Sequence, residues 1–353
     1  MKKGLIFLMV LSMLIGTIQQ SYAVSEAAVL FLMISPGARA SGMGEAFVAV
    51  SDDATAVFWN PAGLAYQYGR EITIMHANWL PQFAGDMYYD FFAYRQDIEG
   101  VGTIGANVTF LNMGKQTITG ESGPEPLGEF SSYDIAFAGS YGTTITENLA
   151  MGVSLRYIRS NLAPQGQGAE RGEGKANAFS FDLGLLYKFP FLNERLSWGM
   201  NISNMGPKIA YIDVDQADPL PTNLKTGFAF KLVDGKYNRL TLAADFNKLL
   251  VTPHSGEDEK ADPFYKAIFT SWYDESWSME MKKIISSVGM EYWYSNLIGL
   301  RAGYYYDELG KVKYATFGAG LKYSLYGFDF GYVSAGEGHP LSDTMRFSLT
   351  IGF

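Results

Sequence analysis

"MRFSLTIGF", Met345 to Phe353, ends the chain, and its two faces are unlike. Met345, Phe347, Leu349, Ile351 and Phe353 fall on one side, and Arg346, Ser348, Thr350 and Gly352 on the other. Successive side chains of a strand point to opposite faces, so this is a strand with an apolar side and a small or polar side. Whether that apolar side meets a protein core or lipid is decided by how often the pattern recurs and by what joins the repeats.

It recurs throughout the chain from about Arg70 onward. "AFSFDLGLLYK" sets Phe179, Phe181, Leu183, Leu185 and Tyr187 against Ser180, Asp182, Gly184 and Lys188. "MGVSLRY", "LTLAADF" and "IGLRAGY" repeat the scheme, with Arg156, Asp245 and Arg301 on their polar faces. About fourteen such segments begin near Arg70, Asp86, Gly100, Ser131, Asn148, Ala176, Arg195, Thr222, Tyr237, Ile284, Leu297, Lys311, Tyr326 and Asp343. Many reach ten residues, the length of a tilted membrane strand (about 9–11), against about 5–6 in soluble sheets. An even number is expected of single-chain bacterial barrels.

The connections alternate in length. With the N-terminus starting in the periplasm, the inner ones are short, as at Ile98-Glu99, Asp234 to Lys236 and Ser295-Asn296. The outer ones run longer, at Gly114 to Phe130, Leu162 to Lys175, Gly206 to Pro221 and Val251 to Lys283; Leu80 to Gly85 and Asp307 to Gly310 are short exceptions. Short periplasmic turns and long external loops characterise outer-membrane barrels. A membrane-spanning sheet has to close, because an open edge leaves backbone groups unsatisfied in lipid. The expectation is an all-β transmembrane antiparallel barrel of about fourteen strands, in the bacterial outer membrane and in contact with its lipid. Tyr and Trp at strand ends, as in "EYWYSN" and "YYYDE", suit interfacial girdles, and Phe353 is expected to serve as the assembly signal.

The N-terminus agrees with that location. Met1-Lys2-Lys3, the apolar run Gly4 to Ile18 and the small residues of Ser21-Tyr22-Ala23 read as a secretory leader cut after Ala23. The expected organisation is thus a signal peptide over 1–23, a hatch or plug over 24–69 and the barrel over 70–353, with a long extracellular insertion at 251–283. The chain contains no cysteine, which removes disulfides, thiol catalysis and thiolate metal sites. A net charge of −9 without basic clusters argues against nucleic acid as a partner.

No catalytic constellation emerges. Gly42-Met43-Gly44 lacks the third glycine of a dinucleotide fingerprint, since position 47 is Phe47, and no βαβ unit follows. Asp52-Asp53 could be a metal or acid/base pair, but Ser51-Asp52 reads better as an N-cap for a short helix over Ala54 to Trp59, with Pro61 ending that helix. His76, His254 and His339 are scattered, and no Gly-x-Ser-x-Gly elbow occurs. No enzyme, cofactor or metal is expected. Asp134, Arg156, Asp182, Asp245 and Arg301 fall on inward faces, where they could pair, grip a plug or hydrate a channel. Arg39 is a candidate partner for one of those carboxylates. The insertion carries Trp272 and Trp277, either on a short amphipathic helix over the barrel mouth or on a long surface loop; exposed aromatics there suggest contact with a partner.

The stretch Phe31 to Tyr66 resembles the N-terminal signature of the PorV/PorQ family of outer-membrane proteins. The residues that carry this are Pro36, Ala38-Arg39-Ala40, Gly42-Met43-Gly44 and Trp59-Asn60-Pro61-Ala62. Ser41-Gly42-x-Gly44, Asp52-Asp53-Ala54 and Asn60-Pro61-Ala62 are also similar to the hatch of FadL long-chain fatty acid transporters. Gly37 and the ending "PAGLAY" lean toward the broader PorV/PorQ group. The resemblance implies a FadL-like barrel with a lumenal hatch formed by Arg39, Gly42, Gly44, Asp52, Asp53, Trp59, Asn60 and Pro61. It implies a type IX secretion role, binding the C-terminal signal domains of cargo from the translocon and passing cargo to the attachment complex. The other function in view is transport of hydrophobic small molecules.

Overall fold

The computed structural model describes residues 27–120, 123–163, 174–211, 217–252 and 261–353. The leader, His254 and part of the 251–283 insertion lie outside them. Among the described residues, fourteen antiparallel strands close into a barrel in which every strand pairs with its sequence neighbours and β1 with β14. They are β1 (Arg70–Asn78), β2 (Tyr88–Ile98), β3 (Gly102–Gly120), β4 (Gly123–Thr144), β5 (Leu149–Ala163), β6 (Gly174–Lys188) and β7 (Leu196–Met205). After them come β8 (Asn223–Asp234), β9 (Asn238–Leu249), β10 (Ile285–Tyr294), β11 (Ile298–Asp307), β12 (Val312–Tyr323), β13 (Tyr326–Ser334) and β14 (Met345–Gly352). No described helix is long and apolar enough to cross a membrane.

The period-two pattern is realised with the apolar face outward. On β14, Met345, Phe347 and Leu349 are exposed while Arg346 and Ser348 are buried. Closure completes at the chain ends, where Arg70 and Phe353 exchange both backbone hydrogen bonds at 3.0 Å. The barrel end that carries these two residues is called the inner end below. Toward the outer end, outward-facing rings pack across successive strands: Tyr88 with Phe110 (6.0 Å between centroids), Phe110 with Tyr133 (5.9 Å) and Tyr157 with Phe179 (5.2 Å). Such a row is the girdle expected where a barrel leaves the hydrocarbon layer.

Two features correct the sequence reading. The outer connection expected at Gly114 to Phe130 is a continuation of β3 and β4, paired from Lys115↔Ser131 to Gly120↔Gly123 past a bulge after Asn112. Pairing of β4 with β5 starts only at Tyr133↔Asn161, so the hairpin stands above the wall as a two-stranded arm. Its residues are polar apart from Ile118, Leu127 and Phe130, and a mostly polar strand in water gives no alternating signal. The helix expected over Ala54 to Trp59 is one turn, α2 (Ala56–Trp59), preceded by α1 (Ala38–Gly42).

Inside the barrel lie residues 27–69. Val29, Phe31, Leu32, Val57 and Leu64 pack against Met75, Phe91, Leu111 and Ile158 of the wall, and Met43, Phe47, Val48 and Trp59 form a second cluster with Ala229 and Ala243. The inward wall residues are small where the segment passes. A methyl group at Gly152 would sit 2.1 Å from the Pro61 carbonyl carbon, and one at Gly289 2.2 Å from the Met43 oxygen. Only a wall without side chains at these points admits a backbone so close.

Candidate functional site

The site is the seam between this lumenal segment and the wall. The segment begins near the outer mouth, where the Ala28 amide donates to the Pro219 carbonyl. It descends along β14, where Arg346 Nη1 donates to the Ser35 carbonyl at 2.5 Å and the Ala38 amide to Ser348 Oγ at 2.9 Å. It turns at Gly44, whose φ of +64° is a left-handed conformation natural to glycine, and whose amide donates to Thr316 Oγ1 at 2.9 Å. Glu45 receives Ser35 Oγ at 2.8 Å and Tyr314 OH at 3.1 Å.

Charges concentrate around Arg39. Its Nε and Nη2 donate to the two carboxylate oxygens of Glu291 on β10, both at 2.7 Å, and Nη1 donates to Asp52 at 2.6 Å and to Asp53 at 3.0 Å. Glu291 also accepts from Arg301 Nε of β11 at 2.7 Å, and Arg301 Nη1 reaches Asp329 of β13 at 2.6 Å. Signs alternate along Asp52/Asp53, Arg39, Glu291, Arg301 and Asp329. Alternation lets ionised groups sit in a desolvated lumen, because each faces an opposite charge and charge-assisted hydrogen bonds.

The other inward residues divide. Arg156 and Asp182 pair at 2.7 Å, with Asp182 also accepting the Asn204 amide at 2.8 Å. Asp245 grips the segment itself, its Oδ2 accepting the amides of Phe47 at 2.7 Å and Val48 at 2.8 Å. Asp134 stands apart, buried, with one carboxylate oxygen lacking a hydrogen-bond partner among the described residues. Arg39 pairs with none of Asp134, Asp182 and Asp245; its wall partner is Glu291, which the sequence reading did not single out. Glu71 was missed as well; it accepts the Ala54 amide at 2.7 Å and lies 3.3 Å from Arg95.

Asp52 is not the helix cap expected. It is exposed and paired to Arg39, while Asp53 Oδ1 accepts from the Thr55 amide at 2.9 Å and from Thr55 Oγ1. Trp59 is fully buried, its Nε1 donating to the Pro36 carbonyl at 3.1 Å, with the Lys225 ammonium 4.2 Å from its ring centroid. Asn60 Nδ2 donates to the Val48 and Leu185 carbonyls at 3.0 and 2.9 Å, and its Oδ1 accepts the Ala62 amide at 3.1 Å. That caps the 3-10 turn Pro61–Tyr66, so Pro61 opens a turn where the polypeptide leaves α2. Gly42 faces Gly318 of β12.

The insertion forms two short helices, α3 (Phe264–Thr270) and α4 (Trp277–Lys282). Trp277 is exposed, whereas Trp272 is half-buried with the Lys248 ammonium 4.9 Å from its ring centroid. Among the described residues, no group of three or more His, Asp or Glu side chains is placed to hold a metal ion.

Comparison with known proteins places this arrangement. A family model described as type IX secretion system protein PorV matches residues 17–255. The fold is similar to that of the Pseudomonas putida toluene transporter TodX, at 15% identity and a TM-score of 0.57 over 90% of this chain and 96% of that one. It is also similar to that of the Ralstonia pickettii toluene transporter TbuX, at 14% identity and a TM-score of 0.52 over 90% and 98%. No curated protein sequence matches the chain.

Proposed function

The chain belongs to the PorV family of type IX secretion system proteins and is a β-barrel of the bacterial outer membrane, and from that premise we propose that it binds secreted cargo proteins at the cell surface and hands them to the attachment machinery. The supporting observation is the β3–β4 arm. The two strands have 19 and 22 residues, about twice what the hydrocarbon layer requires, and above Tyr133 they pair, among the described residues, with each other alone. A two-stranded ribbon in water is marginal alone, and its free edges suit a protein partner that adds a strand or packs across it. In this reading residues 1–23 are removed, the hatch keeps the lumen closed, and the outer rim does the binding. Its partners are the translocon, cargo C-terminal signal domains and attachment-complex proteins.

A second reading is transport of a hydrophobic small molecule, as in the similar toluene transporters TodX and TbuX. It is favoured by the apolar seam between Val29, Phe31 and Leu32 and the wall residues Leu111 and Ile158. Affinity purification of the native membrane protein after cross-linking, followed by mass spectrometry, separates the two. Recovery of cargo signal domains or translocon components is expected. Recovery of a bound hydrophobic compound with no protein partner overturns the secretion reading.

A further inference from the structure

The insertion between β9 and β10 is built inside out. Beneath it, Lys248 at the top of β9 binds Glu280 of α4, Glu280 binds Lys283 at 2.6 Å, and Lys283 binds Asp274 at 3.0 Å. Lys248, Glu280 and Ser271 are all buried. On its outer side, Tyr265, Phe269, Tyr273, Trp277 and Met281 follow one another every fourth residue, and the first four are 65–85% exposed. A loop in water places its charges outside and its rings inside; Lys and Glu are almost never fully buried unless paired. Here Lys266, Glu275 and Lys282 stay exposed, but the largest exposed side chains are rings over a buried ion group, as on the barrel wall below.

The position of the insertion agrees with that inversion. On this side the wall is low. β7 ends at Met205, opposite Phe181 of β6, and β8 starts at Asn223, opposite Ser203. β6 itself continues upward to Gly174, paired with Ala163 of β5. The Phe264 ring at the start of α3 packs edge-on against Phe181, 5.8 Å between centroids. Phe181 belongs to the outward row of β6, two residues below the girdle ring Phe179. The insertion is therefore continuous with the lipid-facing surface, at the height where hydrocarbon gives way to headgroups.

From the inverted polarity and this contact we infer that α3 and α4 lie in the outer leaflet as an interfacial segment, with the row from Tyr265 to Met281 against lipid. The segment raises the low side of the wall, and the buried ion group fixes its tilt. Tyr and Trp suit this depth, since each has an apolar body and a polar tip. The inference rests on the outer-membrane barrel and not on the cargo reading.

The cysteine-free chain permits a direct test. Single variants Tyr273→Cys and Trp277→Cys are spin-labelled in the full-length protein, reconstituted in phosphatidylcholine vesicles. Leu155→Cys, on the outward mid-wall, and Glu129→Cys, on the arm, serve as references. The expected result is that labels at 273 and 277 meet dissolved oxygen in preference to a water-soluble nickel chelate, as at 155. A preference for nickel equal to that at 129 overturns the inference and makes the row a surface for protein docking. Folded-barrel mobility on a gel confirms each variant, and Phe269→Cys reads the same face should one of them not fold.

Discussion

Arg39 of the hatch and Glu291 of β10 lie 252 residues apart in the chain and are joined by two hydrogen bonds of 2.7 Å. The planar guanidinium fork matches both carboxylate oxygens at once, a fit lysine cannot reproduce. Arg39→Ala leaves Glu291 buried with Arg301 alone, and removing one partner of a buried pair costs about 3–5 kcal/mol. Part of that cost is relieved by water reaching Arg39 from its partly exposed side. Hydrogen exchange should rise across the 38–53 segment while the strands stay protected. Arg39→Lys should fall between the two; equal protection in all three proteins excludes Arg39 as a clamp.

Asp245 makes a separate attachment. Asp245→Ala leaves the buried Phe47 and Val48 amides without their acceptor, at about 1–3 kcal/mol for each unsatisfied group. Cleavage within the 46–50 turn by an added protease should accelerate in the variant, with the barrel's heat-resistant gel mobility unchanged.

Close packing around the lumen predicts an asymmetry between two glycines. Gly152→Ala places a methyl 2.1 Å from the Pro61 carbonyl carbon, whereas Gly139→Ala meets nothing within 4 Å. The first should displace the 60–64 turn and lower the melting temperature; the second should leave it unchanged. Equal melting temperatures would show that the hatch backbone does not pass Gly152.

Removing the arm separates binding from folding. Replacing residues 116–129 with a two-residue turn spares every β4–β5 pair. The barrel should insert normally and recover less cargo in cross-linking. Undiminished recovery moves the binding surface elsewhere on the rim.

The insertion should respond to acid. Burial pushes the Glu280 carboxyl up, but hydrogen bonds from Lys248 and Lys283 outweigh it and hold the group below the usual carboxylate range. A depressed carboxyl stabilises the fold above its unfolded pKa, about 4.3, and loses that contribution as pH falls through the folded value. Exchange protection of 271–283 should therefore hold from pH 7 to pH 5 and fall below about pH 4. Glu280→Gln should be less protected at pH 7 and lose most of this pH response.

Most of the barrel was legible because lipid enforces a strict two-residue period. Thirteen of the fourteen strands begin within about two residues of the alternation; β4 is the exception, because the residues above Tyr133 stand in water and need no apolar face. The hatch ties were less legible. Glu291 sits in "GMEYWY", just before three aromatics that draw attention to the girdle, though its parity with Ser287 and Gly289 already places it inward. Which cation it meets depends on how the hatch crosses the lumen, and periodicity does not encode that path. Asp52 misled because an acidic residue before a short helix has two outlets, the helix's own amides or a distant arginine, and the local sequence is the same for both.

The hatch's hydrogen bonds to β9, β10, β12 and β14 set a chronology. It precedes every strand in the chain and packs on β1, β2, β3 and β5, yet most of its hydrogen-bond partners in the wall lie in the second half. Arg39 can take its seat only once β10, which carries Glu291, is in place. The segment that enters the periplasm first is therefore among the last to settle, and its seating reports that the barrel is complete.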